Sequence, residues 1–273
     1  MIALDVCAER ITGALLPATG SGTVEQWHTR SDRSRDDVID TVLNCADFLA
    51  GQAARAGLTV TRAGLALPRR LPGTTGGQGA PAAPGWSEAL VEVWMSEHLD
   101  LPVTVVQRLE SAALAEAHFG AGFGCERFVY LGAGGDALLV TSARPLPRAA
   151  TGHASAVTTL IDSRTTRSPR YACHLTYRLP SARPGGESAP TAIPHTAITR
   201  QQPGRIVVEG DKEYVRQVAA SLRESRTRIG GGAPAPVIAA PLRSRAACLG
   251  AALVARSAQP GIGSTGHART APG

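Results

Sequence analysis

The spacing of apolar residues changes along this chain, and each change predicts a different element. Ile2 to Val6 is a short apolar run, Ile11 to Leu16 a second and Thr23 to Thr29 a third, with Gly20 and Gly22 supplying a turn. Three meandering antiparallel strands are predicted. The period then lengthens. Val38, Val42, Ala46, Leu49 and Ala53 recur at steps of three and four, which places them on one face of a helix over Arg35 to Ala56, capped by Ser34 and ended by Gly57. Arg62 to Leu67 reads as a strand stopped by Pro68. A Pro- and Gly-rich loop follows, and Trp86 opens a helical segment through His98 whose apolar positions are Leu90, Val93, Trp94 and Leu99.

The second half continues in the same alternation. Val103 to Val106 reads as a strand and Leu109 to Gly120 as a helix. Phe128 to Leu131 and Ala137 to Ser142 form a hairpin around Gly132 to Asp136. Residues 163 to 204, rich in Pro, Ser, Thr and Arg, keep no period and read as an irregular linker. Arg205 to Glu209 is a strand. The helix from Asp211 to Arg228 carries Val215, Val218, Leu222 and Arg226 on one stripe. Val237 to Ala240 is a short strand, and Arg243 to Ala255 is a small-residue helix suited to close packing. This divides the chain into an N-terminal lobe over 1–112, a C-terminal lobe over 113–256 and a Gly/Ser/Pro-rich tail over 257–273 that is expected to be disordered.

Composition narrows the class. With 273 residues, 43% of them hydrophobic, the chain can bury a substantial core. No run of about 18 apolar residues suggests a membrane span, and the start lacks the pattern of a signal peptide, so a cytoplasmic location is expected. The five cysteines are dispersed and form no CxxC pair, which favours neither a disulfide framework nor a cysteine-rich metal site. The net charge is +6, but Lys212 is the only lysine and the arginines are scattered, as a GC-rich genome would impose. No basic helix interleaved with aromatics appears, so nucleic acid is not an expected partner.

Several segments in order carry a resemblance. The Leu101-Pro102-Val103 strand leads into the alanine-rich stretch Ser111 to Gly122. Phe128-Val129-Tyr130-Leu131 then runs into Gly132-Ala133-Gly134-Gly135. Pro84-Gly85-Trp86 precedes a helix, and Leu249-Gly250-Ala251-Ala252 follows the last strand. This frame resembles the ROK-family sugar kinases. The resemblance implies an α/β protein of the actin-like ATPase (ribonuclease H-like) fold, with two lobes around a cleft. It would also imply dimerisation through the second lobe, part of which is deleted here.

The resemblance also locates the chemistry that the family needs. Its first phosphate turn, Asp-x-Gly-Gly-Thr, reads Asp5-Val6-Cys7-Ala8-Glu9. Side chains at Cys7 and Ala8 would crowd phosphates, and Glu9 would repel them. The family's Asn-Asp pair, whose aspartate is the general base, reads Gln107-Arg108, and a guanidinium cannot take a proton. Glu110 lies two residues on. The second phosphate turn loses its threonine and gains Asp136. The adenosine-side strand ends in Glu209-Gly210 instead of a glycine pair. Of a Glu-x-Gly-His sugar motif only Gly152-His153 remain, and of a zinc cluster only Cys173, with His174 beside it. No metal and no cofactor are therefore expected.

Three readings follow. In the first, the chain is a degenerate, shortened ROK-like protein, a pseudokinase that keeps the cleft for a small polar metabolite or acts through a protein partner. Its ligand-binding candidates are Asp5, Trp86, Arg108, Gly132, Gly134 and Gly152. In the second it is a divergent ATP-dependent sugar or cyclitol kinase using Glu110 or Asp136 as base. In the third it is a repurposed enzyme of specialised metabolism, with Glu110, Asp136 and His153 as acid–base groups. A transcriptional regulator is less expected, because the chain opens directly on a strand. Arg108 could merely pair with Glu110 or Glu116, Asp5 could cap a turn, and Trp86 could anchor packing.

Overall fold

A computed structural model describes residues 1–7, 10–16, 26–30, 35–68, 88–133, 136–142, 174–179, 198, 201–229 and 235–258. Two five-stranded sheets organise them. In the first, β1 (Ile2–Val6), β2 (Arg10–Leu15), β3 (Gln26–Arg30), β4 (Ala63–Leu67) and β5 (Val103–Gln107) stand in the order β3-β2-β1-β4-β5. β1, β2 and β3 pair antiparallel, as the opening meander predicts, while β4 and β5 add parallel to β1. Strands that are buried on both faces read as continuous apolar runs, and β1 and β4 are buried at every position.

Helix α1 (Arg35–Arg55) covers one face of this sheet with the stripe its spacing predicts. Val38, Val42, Ala46, Leu49 and Ala53 are all buried. It ends at Gly57, whose φ of +67° is the left-handed conformation that glycine adopts without a Cβ penalty. Helix α2 (Glu88–Leu99) differs from expectation. It buries Val91 and Met95 and turns Leu90 and Val93 outward, so its inward face lies one residue round from the predicted one.

The second sheet contains β6 (Arg127–Leu131), β7 (Ala137–Ser142), β8 (His174–Leu179), β9 (Arg205–Val208) and β10 (Val237–Ala239), in the order β10-β9-β6-β7-β8. β8 corrects the reading of residues 163–204 as wholly irregular, since His174 to Leu179 pair antiparallel with β7. Leu175, Tyr177 and Leu179 alternate along it, a signal too short to stand out among its polar neighbours. Helix α4 (Lys212–Ile229) packs on this sheet through Val218 and Leu222.

Between the sheets lie α3 (Arg108–Phe119) and α5 (Ala246–Ser257), the latter preceded by a 3₁₀ turn over Arg243–Arg245 where a single longer helix was expected. Their facing surfaces are nearly all small: Ser111, Ala112 and Ala115 on α3, and Ala247, Gly250 and Ala251 on α5. The backbones consequently come close. A Cβ on Gly250 would lie 1.8 Å from the carbonyl oxygen of Ser111, and one on Gly64 of β4 would lie 2.3 Å from that of Ala251. Ser111 Oγ donates to the Ala247 carbonyl at 2.6 Å across the seam. Thus α5, late in the sequence, packs against α3 and against β1 and β4 of the first sheet. Among the described residues no helix is long and apolar enough to cross a membrane.

Candidate functional site

The strand β5 passes into α3 without a loop, with Gln107 as the last strand residue and Arg108 as the first helical one. That junction lies between the two sheets, and both of its side chains have partners. Gln107 donates to the carboxylate of Glu88, at the start of α2. Arg108 reaches further, to residues more than a hundred positions away on either side. Its Nε donates to Asp5 Oδ1 at 2.8 Å, and its Nη2 donates to Glu209 Oε1 at 2.8 Å, with Nη1 3.4 Å from Glu209 Oε2. Asp5 belongs to β1 of the first sheet, and Glu209 directly follows β9 of the second. This corrects the expectation that Arg108 pairs with Glu110 or Glu116. Leaving the helix at its first residue, the side chain meets the strand ends and not its own helical neighbours.

Glu116 has other partners. Fully buried, it accepts from the backbone N–H of Ala121 through Oε2 at 2.8 Å and from that of Leu242 through Oε1 at 3.0 Å. It ties the end of α3 to the turn before α5, a structural task. Burial raises its pKa, and the two N–H donors offset part of that effect.

The electrostatics of the triad follow from its burial. The Asp5 side chain is 1% exposed, and loss of solvation raises its pKa to about 6. Arg108 offsets part of that rise, and the Glu209 carboxylate adds to it. Only one Asp5 oxygen is used, and Oδ2 is buried without a hydrogen-bond partner. Burial disfavours the Arg108 cation, but Asp5 and Glu209 outweigh it and hold the guanidinium protonated. Beside the triad, the Tyr130 hydroxyl is also buried without a partner at hydrogen-bonding geometry. Its pKa is driven up by burial and by Glu209.

The glycine turn completes this corner. Gly132 donates its N–H to the Asp136 carbonyl at 2.9 Å, and Glu209 donates its own N–H to Leu131 at 2.8 Å. A Cβ on Gly132 would meet Leu109 at 2.5 Å and the Glu209 carboxylate at 3.7 Å, so a larger residue here would require the Leu109 side chain to move. The structure therefore gathers Asp5, Arg108 and Gly132 of the predicted residues. Glu110 is half-buried in the first turn of α3, and Asp136 is half-buried at the entry to β7. Trp86, Gly134, Gly152 and His153 lie outside the described residues. Two members of the corner, Glu209 and Tyr130, were not singled out as site residues. The Glu209-Gly210 departure was the available signal for the first, and nothing in the sequence marked Tyr130. Among the described residues no group of three or more His, Cys, Asp or Glu is placed to hold a metal ion.

No protein-family model matches this sequence, and neither does any curated protein. Solved structures do share its fold. A ROK hexokinase from Thermus thermophilus superposes with a TM-score of 0.54 at 17% identity, over 93% of this chain and 97% of its own. A ROK-family glucokinase from Streptomyces griseus, determined with glucose and AMPPNP, gives 0.54 at 18% identity over 94% and 99%. A ROK-family transcriptional regulator homologous to the Escherichia coli MLC protein gives 0.52 at 18% identity, over 93% of this chain and 77% of its own. The chain therefore has the actin-like ATPase fold in the form built by ROK sugar kinases and ROK regulators.

Proposed function

We propose that this protein binds a small polar ligand, of the sugar or polyol class, in the cleft of a ROK fold and does not phosphorylate it. The observation that carries the reading is the Arg108 guanidinium. It stands where the resemblance places the general base, and both carboxylates that converge on it are already engaged, Asp5 and Glu209 each at 2.8 Å. A permanently protonated group cannot accept the hydroxyl proton, and losing a general base alone lowers rates by roughly 10²–10⁴-fold. A magnesium nucleotide fits poorly here too. The buried aspartate of the first turn is neutralised from within the chain, and a second carboxylate, Glu209, lies across from it. Arg108, 18% exposed, uses three of its five N–H groups on the two carboxylates, and the others suit the hydroxyl acceptors of such a ligand. The fold supports such a role, since one structural neighbour is described as a ROK transcriptional regulator and another as a ROK protein in complex with sucrose.

The test is a melting-temperature titration with Mg-ATP, Mg-ADP and a panel of sugars and cyclitols, run beside a coupled assay for ADP release. A shift of several degrees from a sugar alone, with no ADP released, is the expected result. Turnover of ATP with any sugar would overturn the reading. A second reading, a divergent kinase, draws on the neighbours described as hexokinase and glucokinase. It requires activity that Glu110→Gln abolishes.

A further inference from the structure

We propose that Asp5, Arg108 and Glu209 form a clasp that joins the two sheets across the cleft and holds it in one state of closure. The inference concerns the cleft that the proposed function assigns to this fold and rests on the place of these side chains between the two sheets, not on the identity of a ligand. Two kinds of contact connect the sheets. One is an apolar seam, in which α3 and α5 share a core with Ala66 and Val106 of the first sheet and with Phe128, Tyr130 and Leu138 of the second. Such a seam can serve as a pivot, but no single side chain controls it. The other is ionic and depends on one residue. Arg108 bonds Asp5 on the first sheet and Glu209 on the second at the same time.

The geometry suits a clasp. A planar guanidinium with five donors can hold two carboxylates in fixed directions, which an ammonium cannot do. The side chains of Asp5, Glu209 and Arg108 are 1%, 14% and 18% exposed, so salt screens them far less than a surface pair. The three charges sum to −1. Removing the guanidinium leaves two carboxylates facing each other with repulsion in place of attraction. The guanidinium is thus the cation that holds the two carboxylates, and with them the two sheets, in one arrangement.

The test places spectroscopic labels on two exposed positions, Asp40 on α1 and Glu224 on α4, through non-natural amino acids, and reads the distance between them by pulsed electron resonance in the full chain. Wild type should give one narrow distance. Arg108→Met should give a longer or markedly broader distribution, and Glu209→Gln, which releases only the second sheet, should move the same way. Arg108→Lys should recover part of the narrow distance at best. If Arg108→Met fails to fold, Glu209→Gln decides alone. A folded Arg108→Met, or a folded Glu209→Gln in that event, that keeps the wild-type distribution overturns the clasp. The readout needs neither nucleotide nor sugar, so a failed clasp leaves the non-phosphorylating reading standing. Detected ATP turnover would remove that reading and leave the clasp intact.

Discussion

Helix α3 takes part in two regions that solve opposite problems. Along its body, Ser111, Ala112 and Ala115 meet Ala247, Gly250 and Ala251 of α5, and stability there comes from removing side chains until backbones touch. At its first residue, Arg108 extends a long charged side chain to Asp5 and Glu209. The seam is made of small, mostly apolar residues, and its Ser111 hydroxyl is satisfied by the Ala247 carbonyl. The Arg108 corner is polar and incompletely satisfied, with Asp5 Oδ2 buried without a hydrogen-bond partner and the Tyr130 hydroxyl buried beside Glu209 without one at hydrogen-bonding geometry. Buried polar atoms left in this way call for an explanation, and the proposed function supplies one for the Asp5 corner.

The sharpest way to break this comparison is to attack the seam. Gly250→Val places atoms where the Ser111 carbonyl already lies, 1.8 Å from the position of a Cβ, and neither backbone can yield without separating α3 from α5. The expected loss is at least ~3 kcal/mol, a large fraction of the ~5–15 kcal/mol that holds a domain folded. Circular dichroism melts would show it, and a variant that melts within two degrees of wild type would contradict the packing described.

Next in size is Arg108→Met. It preserves most of the volume but strands the buried Asp5 carboxylate beside Glu209, and breaking a buried pair in this way costs about 3 kcal/mol at neutral pH. Denaturant melts at pH 7.5 and pH 5 sharpen the point. The deficit should shrink at pH 5, where Asp5 takes up a proton and no longer needs a cation.

Asp5 itself gives a prediction with a definite sign. Its folded pKa of about 6 lies above the ordinary aspartate value of 3.8. Its contribution is therefore most favourable when the group is protonated in both states, below about pH 4, and is lost as pH rises through 6. The loss amounts to roughly 2–3 kcal/mol. The stability difference between wild type and Asp5→Asn should move against wild type between pH 4 and pH 7 and flatten above that. A difference that is constant with pH would mean that Asp5 is not titrating in a buried site.

How much of this was legible in the sequence depends on range. The stripe of α1, the continuous apolar runs of β1 and β4 and the small-residue character of α5 are local patterns, and each is observed. The order of elements carried the resemblance that the fold bears out. The face of α2 was misread because Leu90, Val91, Val93, Trp94 and Met95 crowd one segment, where periodicity alone does not choose an inward side. The clasp was not legible at all. Arg108 stood out as a substitution, but its partners are 103 and 101 residues distant, and the nearby Glu110 and Glu116 were the carboxylates that sequence proximity offered. Charge pairing across a fold leaves no periodic trace.

The smallest of the expected effects concerns the far end of α3, where Glu116 resembles Arg108 in being a buried charged side chain but differs in purpose. Its two oxygens each accept one backbone N–H, from Ala121 and Leu242, and among the described residues it makes no ion pair. Glu116→Gln keeps the shape and one acceptor but turns an amide N–H₂ toward a backbone donor, which leaves that donor unsatisfied. The expected loss is about 1–2 kcal/mol. Because the role is structural, the label distance between Asp40 and Glu224 should stay narrow in this variant while the melting temperature falls. If Glu116→Gln broadened that distance as Arg108→Met is expected to, the division of α3 into a structural end and a cleft-controlling end would not hold.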